Sequence, residues 1–495
     1  MFIIVGTYHR SVQGGLIIRP YNYEHRKKLL GIGIVYFPNI SNQQVSFHNK
    51  HLIKRGNLKT TDSFIEAINR RKCTIGIIGL GYVGLPLAIE FCRQKFPVIG
   101  FDIDPDKIEV LNSGESYIKH IPSDRISLIR NSGLFEATAD FSRIVNTDAV
   151  LICVPTPLSS HLEPDLTYII TTAQSIAPYI HPGQLIVLES TTYPGTTEET
   201  LIPELEKGSK LKAGEDFWVA YSPEREDPNN PKYSTSTIPK VVGGFTDECR
   251  KAACALYDEI IVRTVPVSSC ATAEATKLME NIFRSVNIAL VNELKMIFHR
   301  MDINIWEVIE AAKTKPFGYM PFYPGPGLGG HCIPIDPYYL TWKAKEYGMM
   351  TRFIELAGEI NTSMHEYVVH RTMEALNEIG KPLKGTKLLV VGLAYKGDVD
   401  DTRESPSLAL IELFEGKGAI VSYYDPFIPA IPKTREHPQL TGRKSISLDE
   451  AGNFDAAVIS TKHSVVDHRI LAQKCTLVID TRNALGNEFP NVKQA

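Results

Sequence analysis

Three sets of residues in this 495-residue chain have types and spacings suited to chemistry. The first is a single thiol, Cys332, in the run Pro324-Gly325-Pro326-Gly327-Leu328-Gly329-Gly330-His331-Cys332-Ile333-Pro334-Ile335-Asp336-Pro337. The glycines permit close approach to the backbone and the prolines stiffen the flanks, so the run reads as a rigid loop that presents the thiol. Such a loop suits a nucleophile, but it equally suits a turn around an inert buried cysteine. The second set is Lys277, Asn281 and Arg284, whose spacings of four and three place them on one stripe of a helix. That stripe is either a solvated face or a row of donors aimed at a ligand. The third set is Gly79-Leu80-Gly81-Tyr82-Val83-Gly84, between a strand-like run and a helical one. There the first glycine makes a tight turn, the second lets backbone approach a pyrophosphate, and the third lets helix pack on strand. A second strand-like run ends in Asp102, placed to accept ribose hydroxyls and to repel a 2′-phosphate, which favours NAD over NADP.

The elements that must position these residues follow from hydrophobic periodicity. Strand-like runs at 73–78, 98–101, 149–154, 185–188 and 218–221 alternate with helical stretches, which predicts a doubly wound parallel sheet. Ligands of such sheets lie beyond the carboxyl ends of the strands, where Thr156, Thr191 and Glu224-Arg225-Glu226 stand. Residues 272–299 contain no Pro or Gly and carry Leu278, Ile282, Val286, Ala289 and Ile297, as expected of a long amphipathic helix. After Gly385 a second α/β pattern runs through strands at 387–391, 419–424, 456–460 and 477–480, with Gly392-Leu393-Ala394-Tyr395-Lys396-Gly397 in place of the full glycine fingerprint. Lys396, Arg403 and Lys462 there are candidate phosphate or carboxylate contacts. The expected fold is α/β: two Rossmann-like doubly wound parallel-sheet domains joined by a central helical region with a long helix. The boundaries are 1–58 for an N-terminal extension without assigned function, 59–265, 266–375 and 376–495, with Thr61-Asp62-Ser63 capping a short helix near the start of the first domain.

Composition narrows the function class. Lys plus Arg number 53 against 56 Asp plus Glu, so a net charge of −3 offers no basic field for nucleic acid or an anionic membrane. Eight cysteines without a C-x-x-C pair suit free thiols in a cytoplasmic setting, with no metal site expected.

With these pieces assembled, the chain from near Lys72 to the C-terminus resembles the UDP-glucose/GDP-mannose dehydrogenase family. The resemblance rests on the Gly79–Pro86 segment, Ser222-Pro223-Glu224-Arg225, Lys277-Leu278-Met279-Glu280-Asn281, Gly329-Gly330-His331-Cys332 with Asp336, and Gly392-Leu393-Ala394-Tyr395-Lys396, in the family's order. It implies a four-electron oxidation at C6 of a nucleotide sugar with two NAD⁺, and a homodimer or higher homo-oligomer built on the long helix. It also implies that Cys332 is the nucleophile, that Lys277 and Asn281 stabilise an oxyanion, and that Asp336, Thr156 and a glutamate, taken as Glu226 in preference to Glu224, order the water. Cofactor contacts implied are Gly79, Gly81, Tyr82, Val83, Gly84, Asp102, Lys107, Thr156, Thr191 and Arg403. Contacts implied for the substrate, a UDP-N-acetyl-hexosamine, are Arg225, Lys277, Asn281, Arg284, Gly329, Tyr395, Lys396 and Lys462, with sugar lying directly against the glycine backbone around Gly329. Within the family the segments 314–319 and 324–337 are most similar to UDP-N-acetylglucosamine 6-dehydrogenases of O-antigen and capsule synthesis. Mannosamine-specific members usually carry an arginine where this chain has Gly318.

Overall fold

The computed structural model describes residues 60–119, 121–159, 161–225, 233–330, 333–434, 436–486 and 488–495, all within the compact unit Gly56–Ala495. The extension read over 1–58, and Glu226, His331 and Cys332, lie outside the described residues.

The first sheet has eight strands: β1 (Ile75–Ile78), β2 (Val98–Phe101), β3 (Phe135–Thr138), β4 (Ala149–Ile152), β5 (Leu185–Leu188), β6 (Trp218–Tyr221), β7 (Lys240–Gly244) and β8 (Thr264–Val267). They lie in the order β3-β2-β1-β4-β5-β6-β7-β8. Strands β1, β2, β4, β5 and β6 are buried at every position. Helices cover both faces of such a sheet, so alternation gives way to continuous apolar runs. Edge strand β3 alternates between buried and half-buried. The expected parallel sheet holds through β6, but β7 runs antiparallel to it, pairing Ala220 with Gly244 and Tyr221 with Gly243. The short helix near the start is Thr61–Asn69, and its cap is Thr60 rather than the residues after it: the Thr60 hydroxyl accepts from the Ser63 N–H.

The second sheet contains β9 (Lys387–Val391), β10 (Ile420–Tyr424), β11 (Ala456–Ile459), β12 (Leu477–Asp480) and β13 (Val492–Gln494), all parallel, in the order β10-β9-β11-β12-β13. Its core is Leu388, Val390, Val458, Ile479 and Phe414, each at most 2% exposed. Burying one such side chain contributes roughly 1.5–3 kcal/mol.

Between the sheets runs one helix of 31 residues, Cys270–Arg300, packed against a second long helix, Arg352–Glu378. Of the apolar residues expected on its inward face, Leu278 and Ala289 are buried, Ile282 and Val286 half-buried, and Ile297 exposed. The buried side is largely polar: Glu274, Lys277, Asn281, Ser285, Asn292 and Lys295 are each no more than 9% exposed. Met279, Phe283, Leu290 and Ile297 point outward instead. A buried polar group must find a partner, and Glu274, Lys277, Asn281, Asn292 and Lys295 each meet a segment arriving from elsewhere in the fold. Glu274 accepts from the Gly195 N–H at 2.6 Å, the Thr197 N–H at 2.9 Å and the Thr197 hydroxyl at 2.7 Å, which ties the helix to the segment after β5. Asn292 donates to Asn361 at 2.9 Å and accepts from the Gly325 N–H at 3.0 Å, while Asn361 donates to the Ser285 carbonyl at 3.1 Å.

Removing the Glu274 carboxylate strands three donors, the two on Thr197 buried and the Gly195 N–H partly so. Glu274→Ala is expected to cost about 3 kcal/mol, read as a lower urea midpoint of the first unfolding transition. Glu274→Gln keeps an acceptor oxygen and should lose less than half of that.

Candidate active site

Strand register builds the cofactor edge. Ile78 of β1 lies level with Phe101 of β2 and Ile152 of β4, and Ile152 with Leu188 of β5. The next residues, Gly79, Asp102, Cys153 and Glu189, therefore stand along one sheet edge. Gly79 has φ +88° and donates its N–H to the Phe101 carbonyl at 2.8 Å. A Cβ on Gly84 would lie 2.0 Å from the Gly79 carbonyl oxygen, so the third glycine is demanded by helix-on-strand packing. A Cβ on Gly81 would meet nothing within 4 Å. The protein itself gives no reason for glycine there, whereas a pyrophosphate resting on the backbone does. Helix Gly84–Arg93 begins at Val83 without a side-chain cap, which leaves its N-terminal N–H groups to an anion. Asp102, 6% exposed, accepts from the Leu80 N–H at 3.0 Å and the Asp104 N–H at 3.0 Å, and Lys107 lies 3.6 Å from it. These residues fit a dinucleotide: a glycine cradle, an uncapped helix start and a carboxylate for the ribose.

The C-terminal sheet reaches the same edge. The Arg403 guanidinium lies 4.6 Å over the ring of Tyr82 and pairs with Asp401 at 2.6 Å. Asp425, the counterpart of Asp102 at the end of β10, spends its carboxylate on the chain itself. It accepts from the N–H groups of Leu393, Ala394, Phe427 and Ile428, and the His463 ring stands 3.0 Å away. The second domain therefore lacks both the full glycine fingerprint and a free ribose carboxylate.

A cavity of about 420 Å³ opens between the two sheets along the long helix. Its walls include Arg225, Lys277, Asn281, Arg284, Gly329, Tyr395, Lys396 and Arg403, so eight sequence-predicted residues converge. Asn281 donates to Asp336 at 2.5 Å. Asp336 opens the helix Asp336–Glu346 and is 2% exposed. Burial pushes its carboxyl up to about 7, against the pull of the Lys277 charge and the Asn281 hydrogen bond. Lys277 donates to the Glu224 carbonyl at 2.6 Å. Arg225 forms a two-pronged pair with Glu280 and donates to the Pro239 carbonyl at 2.6 Å. Thr156 is buried, and its carbonyl accepts from the Tyr339 hydroxyl on the helix that carries Asp336. Thr191 is half-buried beyond β5. Lys462 stands apart, exposed and directed at the Asn483 carbonyl 3.5 Å away. The Glu224 carboxylate faces Lys240 at 3.6 Å.

The glycine loop differs from its expectation. A Cβ on Gly325 would lie 2.3 Å from Arg482, one on Gly327 2.4 Å from His365, and one on Gly329 2.6 Å from Tyr395. Protein groups as well as any ligand press on this backbone, from the second domain at Gly325 and Gly329 and from the helix Arg352–Glu378 at Gly327. The Gly330 N–H donates to the Arg403 carbonyl at 3.0 Å and seals the contact. Sequence reasoning missed Arg482, which lines the cavity two residues beyond β12 and donates to the Ser460 carbonyl at 2.8 Å. Burial lowers it to about 10, with Asp480 pulling it back up. The strand-end logic that selected Thr156 and Thr191 would have found it in Asp480-Thr481-Arg482. Glu280 and Tyr323, also in the wall, carried no local signal.

The two glycines make separable predictions. Gly81→Ala should unfold at the parent's midpoint yet bind NAD⁺ at least about 10-fold more weakly by calorimetry. Gly84→Ala should lower the midpoint as well, because its methyl collides with the Gly79 carbonyl.

Among the described residues no helix is long and apolar enough to cross a membrane. Residues 73–261 match the NAD binding domain of the UDP-glucose/GDP-mannose dehydrogenase family, 271–363 its central domain, and 389–487 its UDP binding domain. The chain is 36% identical over 391 residues to the UDP-N-acetyl-D-glucosamine 6-dehydrogenase of Pseudomonas aeruginosa, covering 79% of this chain and 90% of the relative. It is 34% identical over 408 residues to the UDP-N-acetyl-D-mannosamine dehydrogenase of Pyrococcus horikoshii, covering 79% and 94%. The solved structure of a UDP-D-ManNAc dehydrogenase from Pyrococcus horikoshii superposes with a TM-score of 0.77 at 33% identity, over 85% of this chain and 98% of that one. Three domain models in sequence, on two sheets bridged by one long helix, establish that the chain belongs to the UDP-glucose/GDP-mannose dehydrogenase family and is an NAD-dependent nucleotide-sugar dehydrogenase.

Proposed function

We propose that the protein oxidises C6 of UDP-N-acetyl-D-glucosamine to the uronate through a covalent intermediate on Cys332, supplying a surface polysaccharide. The observation that carries this reading is the convergence of Lys277 and Asn281 in one cavity wall, with the buried Asp336 accepting from Asn281 behind it, on the cavity that the loop leading to Cys332 also lines. Bound NAD⁺ supplies the hydride acceptor for each of the two oxidations. Lys277 and Asn281 present donors to the oxygen on C6 as its negative charge grows. The Cys332 thiolate adds to the aldehyde to give a thiohemiacetal, whose oxidation leaves a thioester that water hydrolyses. Asp336, with Thr156 and Glu226, holds that water and takes its proton. Arg225, Arg284, Tyr395 and Lys396 grip the nucleotide sugar, and residues 59–265, 266–375 and 376–495 form the NAD, central and UDP-sugar parts. The outward apolar row Met279, Phe283, Leu290 and Ile297 supports a homodimer built on the long helix.

Mannosamine is the second reading, because relatives of both specificities have similar identity to this chain. Gly318 favours glucosamine: its φ of +69° suits glycine and would strain an arginine.

Substrate and nucleophile are tested together by NADH release on UDP-N-acetylglucosamine, UDP-N-acetylmannosamine, UDP-N-acetylgalactosamine, UDP-glucose and GDP-mannose. The highest kcat/KM is expected on UDP-N-acetylglucosamine with two NADH per sugar, and Cys332→Ser should stop turnover before the uronate. Preference for another sugar, or two NADH from Cys332→Ser, would refute the corresponding half.

The pH dependence has a definite sign. Asp336 must be ionised to take a proton, so kcat should rise as pH climbs through about 7. Asp336→Asn should flatten that limb and lower kcat on the order of 100-fold. A limb unchanged in Asp336→Asn would assign the titration to another group.

A further inference from the structure

A second charged cluster lies beneath the cavity. Because β7 runs antiparallel to β6, its first residue, Lys240, stands at the sheet edge where β4, β5 and β6 end. There its ammonium meets Glu189, the residue after β5, at 2.7 Å, with side-chain exposures of 4% and 0%. Lys240 also donates to the Pro223 carbonyl at 3.2 Å and lies 3.6 Å from the Glu224 carboxylate. The groups facing it are Glu189, Glu224, Tyr257, whose hydroxyl donates to Glu189 and whose ring centre is 5.2 Å from the ammonium, and the Cys153 thiol.

The next carbonyl along the chain, that of Glu224, accepts from Lys277. Two successive carbonyls of one loop are thus held by two lysines, one beneath the sheet edge and one in the cavity wall. A buried ion pair is often no more stable than an apolar pair of equal volume, so stability alone is a weak reason for this arrangement. We propose that Lys240, anchored by Glu189, is a positioning residue for the reaction: it fixes the Pro223–Glu224 peptide so that the Glu224 carbonyl holds the Lys277 ammonium beside Asp336. This rests on the reading of Lys277 as an oxyanion-stabilising group.

The test is the double variant Lys240→Met/Glu189→Gln, which removes both members of the 2.7 Å buried pair together and leaves the partly exposed Glu224 carboxylate in place. It should unfold near the parent's midpoint and bind NAD⁺ and UDP-N-acetylglucosamine within about 3-fold of the parent, while kcat falls about 100-fold. Hydrogen exchange at the backbone of 224–225 should quicken. The acid limb of kcat should move to higher pH, because Asp336 loses the neighbouring charge that lowers it. Parental kcat with an unmoved limb overturns the proposal. If the double variant does not fold, Lys240→Arg decides: its guanidinium keeps the pairing with Glu189 but displaces the donor from the Pro223 carbonyl. Lowered kcat with unchanged NAD⁺ affinity is then expected, and parental kcat refutes positioning. Lys277→Met is the reference. Should it keep parental kcat, the reading of Lys277 fails and takes this proposal with it; should it lose kcat while the Lys240 variants keep theirs, the proposal alone fails.

Discussion

The structure depends on one constraint: the long central helix buries polar side chains, and none of them can stay unsatisfied. An unpaired buried donor or acceptor costs about 1–3 kcal/mol. Five of them are met by segments that carry or adjoin part of the site. Glu274 holds the loop after β5, Lys277 the loop after β6, Asn281 the carboxylate of Asp336, and Asn292 the start of the glycine loop. Lys295 closes the series, directed at the Thr481 carbonyl beyond β12. The helix is therefore less a hydrophobic strut than a ruler, whose spacing of three and four residues sets where five loops arrive.

That arrangement carries an electrostatic cost at its centre. A carboxyl whose folded pKa is raised, as at Asp336, stabilises the fold below its unfolded pKa and loses that contribution as pH rises through about 7. Keeping Asp336 ionised above that pH costs on the order of 4 kcal/mol, and the packing around it must offset this. The Asn281 hydrogen bond and the Lys277 charge reduce the cost without cancelling it. The same tension recurs under the sheet edge, where Glu189 and Lys240 neutralise each other out of contact with water.

The two sheets share a pattern yet differ in use. In each, an aspartate closes the second strand and accepts from the N–H groups of the preceding glycine loop. Asp102 keeps Lys107 beside it at the cofactor edge, whereas Asp425 is enclosed by four N–H groups and His463. Arg403 over Tyr82 then brings the second sheet's loop onto the first sheet's cofactor turn.

Much of this was legible in the chain, and the division follows the range of the forces. Glycine turns, apolar strand runs and strand-end positions act over neighbouring residues, so the parallel strands of both sheets and the cofactor edge could be read from residue order, whereas the convergence of Lys277, Asn281, Arg225, Tyr395 and Lys396 was implied by the family resemblance of the motifs that carry them. The polar part of the long helix's inward face could not, because Glu274, Ser285, Asn292 and Lys295 are buried together with Leu278, Ala289 and Val291, while Met279, Phe283, Leu290 and Ile297 point outward. Nor could the reversal of β7 that delivers Lys240, or the close approach of Arg482, His365 and Tyr395 to the glycine loop. Those were decided by partners far along the chain, 51 residues for Lys240 with Glu189 and 186 for Lys295 with Thr481. Local sequence sets which backbone shapes are available; only the closed fold determines which buried polar group finds which partner, because that pairing exists nowhere until water is excluded.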